Sequence, residues 1–211
     1  MLFLLTMLAS MTFFSGEEQA PRVYTKLEYA ADFECTNRTK VVYLDAGHGG
    51  ELAHGCKGYD GRWEKNANLL LTFDVKAALE ARGIEVKLTR DKDINIPLYD
   101  RPRAAHAEKA ACFVSLHHNA PAADKNPLEI RYRSVYSWND LGKSLADKIA
   151  AAIGGDSLHA NFAVTRSPEI PSCLVEADFL THPEGCAAAF DPEKRRALAE
   201  QIAEAIVEWL S

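Results

Sequence analysis

From residue 41 onward the apolar positions fall into two alternating spacings. Val41–Leu44 is a compact apolar run that breaks at Asp45-Ala46-Gly47, as a buried strand does on entering a loop. After Glu64, residues Leu71, Val75 and Leu79 share one helical face while Asp74, Lys76 and Glu80 lie off it, and Gly83 supplies a stop. Ile84, Val86 and Leu88 then alternate with Glu85, Lys87 and Thr89, the period of a strand with one buried face. Further along, the pattern predicts a helix from about Leu98 to Lys109, a buried strand Ala111–Leu116 and another strand Glu129–Tyr136. A helix Asn139–Ile153 ended by Gly154-Gly155 and a short strand Ser172–Glu176 follow. Asp191-Pro192 caps a last helix in which Leu198, Ile202, Ile206 and Leu210 recur every four residues. Strands that alternate with helices predict a single α/β domain over residues 40–211, a central mixed and mostly parallel sheet with helices on both faces.

The segment ahead of this domain has a different character. Leu2–Phe14 is an apolar run of 13 residues, short for a bilayer span and suited to the core of a secretory signal. Residues 1–16 are expected to be a signal peptide and the product an exported protein with no stable membrane insertion after processing. No Lys or Arg precedes the run, so a buried helix or an uncleaved anchor is the competing reading. Residues 17–39, mixed and aperiodic, predict a linker or irregular arm. The whole chain of 211 residues carries 24 Lys+Arg against 30 Asp+Glu, a net charge of −6 that argues against nucleic acid as a partner. The mean hydropathy of −0.20 excludes a multi-span membrane protein. Five cysteines, an odd number with no C-x-x-C pair, argue against a cysteine zinc knuckle.

Ligands of open α/β sheets gather beyond the carboxyl ends of the strands, and the chemistry-bearing residues here stand at those ends. The first strand delivers Asp45 and His48, the strand from Ala111 delivers His117, His118 and Asn119, and the strand from Ser172 delivers Glu176. Glu64 opens a helix that returns to the same neighbourhood after a glycine-rich loop. Two imidazoles and a carboxylate arriving from separate elements make a catalytic zinc site, with a fourth position left for water. Such an ion acidifies water and polarises an amide carbonyl, which leaves a base for the water proton and an acid for the leaving amine. Glu176 suits both tasks, because the preceding Leu174-Val175 limits its solvation and raises its pKa. Neighbouring strand residues face opposite sides, so His117 and His118 are not expected to reach one metal together. Taken singly, each residue has an ordinary structural explanation; the joint pattern favours chemistry.

With these residues in view, the chain resembles the zinc-dependent N-acetylmuramoyl-L-alanine amidases of the Amidase_3 family. The matching segments stand in family order: VVYLDAGHGG at 41–50, WEKNANL at 63–69, VKLTR at 86–90, SLHHNA at 115–120, ANFAVTR at 160–166 and CLVEADFLTHPE at 173–184. The resemblance implies one Zn2+ per chain on His48, Glu64 and His117, with Glu176 as the catalytic glutamate. It also implies peptidoglycan as substrate, cut between N-acetylmuramic acid and L-alanine. Asp45 is expected to orient a ligand imidazole, Asn119 to contact substrate, and an activator or targeting protein to assist recognition. A zinc carboxypeptidase or other amide hydrolase on the same scaffold, and a wall-binding module without turnover, are the alternatives. The chain departs from the family pattern at His118, where a small residue is usual, at Asp178, a common glycine, and at His106 and His182, where asparagine is frequent. Only about ten residues separate Asn119 from Glu129, too few for the inhibitory helix that some relatives insert there.

Overall fold

The computed structural model describes residues 40–167 and 169–211, so the expected signal peptide (1–16) and arm (17–39) lie outside the described residues. In chain order the elements are β1 (Val41–Ala46), α1 (Glu64–Glu80), β2 (Glu85–Leu88), α2 (Arg103–Ala107), β3 (Cys112–Asn119) and β4 (Ser134–Ser137). There follow α3 (Asp140–Ile153), β5 (Asp156–His159), a 3-10 turn (Ala163–Thr165), β6 (Ser172–Phe179), α4 (Pro183–Phe190) and α5 (Pro192–Leu210). The strands form one sheet in the order β2-β1-β3-β6-β4-β5. All neighbours are parallel except β4 and β6, which run antiparallel. This is the mixed, mostly parallel sheet expected from the sequence.

Strand periodicity sorts the side chains into two layers. Val42, Leu44, Cys112, Val114, Leu116, Cys173 and Val175 face α1, α3 and α5, and with Leu71, Val75, Leu145, Ile149, Ile202 and Ile206 they make the larger core. Val41, Tyr43, Phe113 and Leu174 face the other way, under α2 and the 3-10 turn, through Ala105, Val164 and Ile170. Fully burying a Leu, Ile or Phe contributes about 1.5–3 kcal/mol, so the three-helix layer is the principal source of stability. The helix ends follow from local chemistry. Asn139 accepts the Gly142 N–H at the start of α3, Gly154 closes that helix at φ 67°, and Asp191 accepts the N–H groups of Glu193 and Lys194 before Pro192 opens α5.

The structure corrects several boundaries. The helix expected over Leu98–Lys109 shrinks to Arg103–Ala107, because Pro102 interrupts it and Arg101, ahead of Pro102, sends its guanidinium to Asp45 instead. The strand expected over Glu129–Tyr136 is only Ser134–Ser137, since Arg131 and Arg133 are drawn to Asp178 and to the Ala177 carbonyl. The last central strand runs on to Phe179. Two elements carry no clear periodic signal: β5, whose residues are all exposed, and α4, whose apolar residues are mostly alanine. Between Asn119 and Ser134 there are turns and no helix, as the short spacing requires.

Candidate metal centre and active site

The register of β3 on β6 sets His117 directly beside Glu176. Both side chains are on the α2 side of the sheet, the side of Phe113 and Leu174. The chain leaves β1 at Ala46 and enters a loop in which His48 takes a left-handed backbone, φ 61°. A non-glycine residue rarely adopts that conformation, and where it persists the surroundings hold it there. Here Arg101 donates to the carbonyls of Ala46 and His48, and Arg90 donates to Ala46, Gly47 and Lys65. Both guanidiniums are buried, and together they fix the loop from inside.

Three of the expected residues converge. His48 Nε2 lies 3.2 Å and His117 Nδ1 3.0 Å from Glu64 Oε1, with the two imidazole rings nearly perpendicular. One ligand atom from each residue falls within 4.8 Å of the others. Ligand atoms about 2.0–2.1 Å from a tetrahedral Zn2+ lie about 3.4 Å apart; the two His–Glu64 separations are close to this, and the donor types suit such an ion. His48 is the most open of the three, about a third exposed, whereas Glu64 is 5% exposed. The cluster is reached from the His48 side.

Glu64 is the best-held member. Asn68, one turn further along α1, donates to Oε1 at 3.0 Å, and the Cys56 N–H donates to Oε2 at 2.9 Å. Burial works to raise the Glu64 pKa, but hydrogen bonds from His117 and His48 outweigh it and keep the carboxyl far below the usual range. The loop closes on this carboxylate through Gly55, where a Cβ would stand 2.4 Å from Glu64 Oε2 and 2.8 Å from the His48 ring. At Gly47 a Cβ would meet the His117 ring at 2.2 Å. The glycines of this segment are thus spacers that let the backbone approach the ligands. Asn68→Ala is expected to weaken zinc affinity by about 10–100-fold, the usual effect of losing a group that orients a ligand; competition with a chromogenic chelator measures it.

Glu176 lies next to this cluster without a hydrogen bond to its Oε2. Burial, with the negative charge of Glu64 nearby, raises its pKa to about 7 even though His117 pulls the other way. Between the ordinary 4.5 and about 7 the folded protein keeps a proton that the unfolded chain has lost, so stability declines as pH rises through that window. Glu176→Gln is therefore expected to stabilise the metal-free protein at pH 8 by about 3 kcal/mol at most, and by much less at pH 5, in urea melts.

The remaining expected residues have other occupations. Asp45 makes no hydrogen bond to an imidazole: its buried carboxylate is held by Thr89, Ser115 and Arg101, at 2.5, 2.6 and 2.8 Å. It reaches His48 only through Arg101, at the backbone. Asn119 Oδ1 accepts the Ala120 N–H, and its backbone carbonyl accepts the Leu180 N–H. His118 points through the sheet, away from the cluster, and its Nδ1 meets Asn68 Oδ1 at 2.8 Å; burial lowers its pKa to about 4. It lines a cavity of about 470 Å³ together with Asp178, which binds Arg131 at 2.9 Å. An extra residue in β6, between the pairs His117–Glu176 and Asn119–Phe179, accompanies this placement of Asp178. His106 meets Ser167 Oγ at 2.6 Å, and His182 caps α4. Among the described residues, no disulfide joins Cys56, Cys112, Cys173 or Cys186. Sequence reasoning gave no role to Asn68, Arg90 or Arg101; Asn68 and Arg90 lie inside the segments 63–69 and 86–90, and the one-turn spacing from Glu64 was the available signal for Asn68.

Comparison with known proteins agrees with this geometry. The sequence pattern of the N-acetylmuramoyl-L-alanine amidase family, Amidase_3, matches residues 42–208. The chain is 29% identical over 220 residues to N-acetylmuramoyl-L-alanine amidase AmiA of Escherichia coli, spanning 81% of this chain and 76% of that protein. It is 34% identical over 187 residues to an endolysin of Bacillus phage SPP1, covering 82% of this chain and 67% of the endolysin. The solved N-acetylmuramoyl-L-alanine amidase AmiC2 of Nostoc punctiforme superimposes with a TM-score of 0.74 at 32% identity, over 82% of this chain and 99% of that one. With the match spanning nearly all of the α/β domain, the chain belongs to the N-acetylmuramoyl-L-alanine amidase family, enzymes of peptidoglycan hydrolysis.

Proposed function

We propose that this chain is an exported zinc amidase that cuts the amide between the lactyl group of N-acetylmuramic acid and the first L-alanine of the stem peptide, with Zn2+ held by His48, Glu64 and His117. The observation that carries the reading is the convergence of these three side chains beside a half-buried glutamate, one of whose carboxyl oxygens is buried without a hydrogen-bond partner. When bound, the ion supplies an acidified water and a polarised carbonyl. Glu176 takes the proton of the attacking water and later delivers it to the departing alanine amine, a cycle that suits a carboxyl titrating near neutrality. Glu64, held by Asn68 and Cys56, stays ionised throughout. Asp45 and Arg101 act at one remove by pinning the backbone that carries His48. Asn119, two residues beyond His117 on the same strand, would contact the stem peptide through its side-chain amide.

A polymer needs an open approach, and the partly exposed His48 supports one. Tyr132, tilted against Phe179 with ring centroids 4.7 Å apart and about half exposed, would form part of its rim. Export is supported by the apolar run near the amino terminus and by an extracytoplasmic polymer as substrate. Among the described residues no helix is long and apolar enough to cross a membrane. Digestion of purified sacculi tests the bond specificity. New amino-terminal alanine on released stem peptides is the expected product; release of free terminal amino acids with the muramoyl amide intact would identify a carboxypeptidase instead.

A further inference from the structure

The line of side chains across the sheet continues past Glu176. β4 pairs Ser134 with Glu176, Val135 with Val175 and Tyr136 with Leu174. Val135 and Val175 lie together in the three-helix core, and Tyr136 and Leu174 pack together on the opposite side. Partners in register share a face, so Ser134 stands on the face of Glu176. His117, Glu176 and Ser134 therefore occupy one row on three adjacent strands.

Ser134 is fully buried, and its Oγ has no hydrogen-bond partner; the neighbouring Glu176 Oε2 is in the same condition. A buried polar group left unpaired costs about 1–3 kcal/mol, and alanine at this position would avoid that cost. The two atoms do not bond to each other in this structure, yet each group supplies what the other lacks. A hydroxyl donates to a carboxylate and accepts from a carboxylic acid, so it serves both protonation states by turning its proton. Cβ atoms of directly opposed residues lie about 4.5–5.5 Å apart, within reach of a hydroxyl-to-carboxyl contact.

We propose that Ser134 is a positioning residue: by turning about its Cα–Cβ bond its hydroxyl comes to hold the Glu176 carboxyl from the side away from His117, leaving the other carboxyl oxygen for the metal centre. The proposal rests on Glu176 being the proton carrier. A serine at the head of a short strand has no sequence signal of this kind, and only the antiparallel register of β4 reveals it.

Steady-state kinetics on solubilised peptidoglycan fragments test the proposal, with bound zinc and the melting temperature of the metal-free protein measured in parallel. Ser134→Ala is expected to lower kcat by about 10–100-fold, the range for a catalytic group displaced by about an ångström. KM should stay within about twofold, zinc content should not change, and the metal-free protein should melt within a few degrees of the parent, since one hydroxyl contact is worth about 1 kcal/mol. Ser134→Thr, which restores the hydroxyl, should recover most of kcat. In a Glu176→Ala background, adding Ser134→Ala should change nothing further. Parental kcat in Ser134→Ala beside an inactive Glu176→Ala overturns the positioning role alone. An equal loss in both backgrounds overturns it too, as does a loss that disappears when the assay is run well below the melting temperature of the variant. Full activity in Glu176→Ala overturns the assignment of Glu176 itself, and with it the role of Ser134.

Discussion

Replacing Glu176 by alanine is expected to lower the release of stem peptides from sacculi by about 10²–10⁴-fold, the range for a general acid–base group, while zinc remains bound in a one-to-one ratio. The separation of the two effects follows from geometry. Glu176 is not among the three side chains whose ligand atoms converge, and Glu64 draws its support from Asn68, Cys56 and the imidazoles rather than from Glu176. The parent's rate should rise with pH through about 7, as the carboxyl becomes able to accept a proton. Any residual activity of the variant should lose that limb. A variant as active as the parent, or one that loses its zinc, would place the proton transfer elsewhere.

Stripping the metal is expected to have the other large effect, on activity and stability together. His48, Glu64 and His117 come from the loop after β1, the start of α1 and the end of β3, so an ion bound to them ties three separate parts of the fold. Binding to the folded state alone stabilises by about 4 kcal/mol at a free concentration 1,000 times Kd. Dialysis against a chelator should therefore abolish hydrolysis and lower the melting temperature by several degrees, and stoichiometric Zn2+ should restore both. His117→Ala should behave as the stripped protein does and should not respond to added zinc. If calorimetry detected no zinc-dependent change in melting temperature, the three-residue assignment would be wrong.

Much of this site is legible in the sequence because strand ends and residue types coincide there. The run Val41–Leu44 puts His48 in the loop just past a strand end, the alternation about His117 puts that imidazole on a known side of the sheet, and the opposite facing of His118 follows from strand geometry alone. Local pattern was a poorer guide wherever a distant charge decided the conformation. Arg101 leaves an expected helix to pair with buried Asp45, and Arg131 and Arg133 leave an expected strand for Asp178 and the Ala177 carbonyl. Asp45 illustrates the same difficulty in the site itself. Its place at the end of β1 suggests a partner for an imidazole, yet three side chains far apart in sequence, Thr89, Arg101 and Ser115, take up its carboxylate. Ser134 was invisible because pairing register is a property of two strands and not of either one.

The reversed direction of β4 has a consequence for how this enzyme can be remodelled. Its first residue enters the sheet beside Glu176, so the connection that feeds it, with its exposed stretch over residues 122–129, leads from the end of β3 to the side of Glu176. Length added there would not shift the pairing of Val135 with Val175 downstream. The stretch is a natural splice point, where a grafted peptide could shutter the cleft or steer it toward a chosen wall chemistry while the scaffold beneath stays as it is.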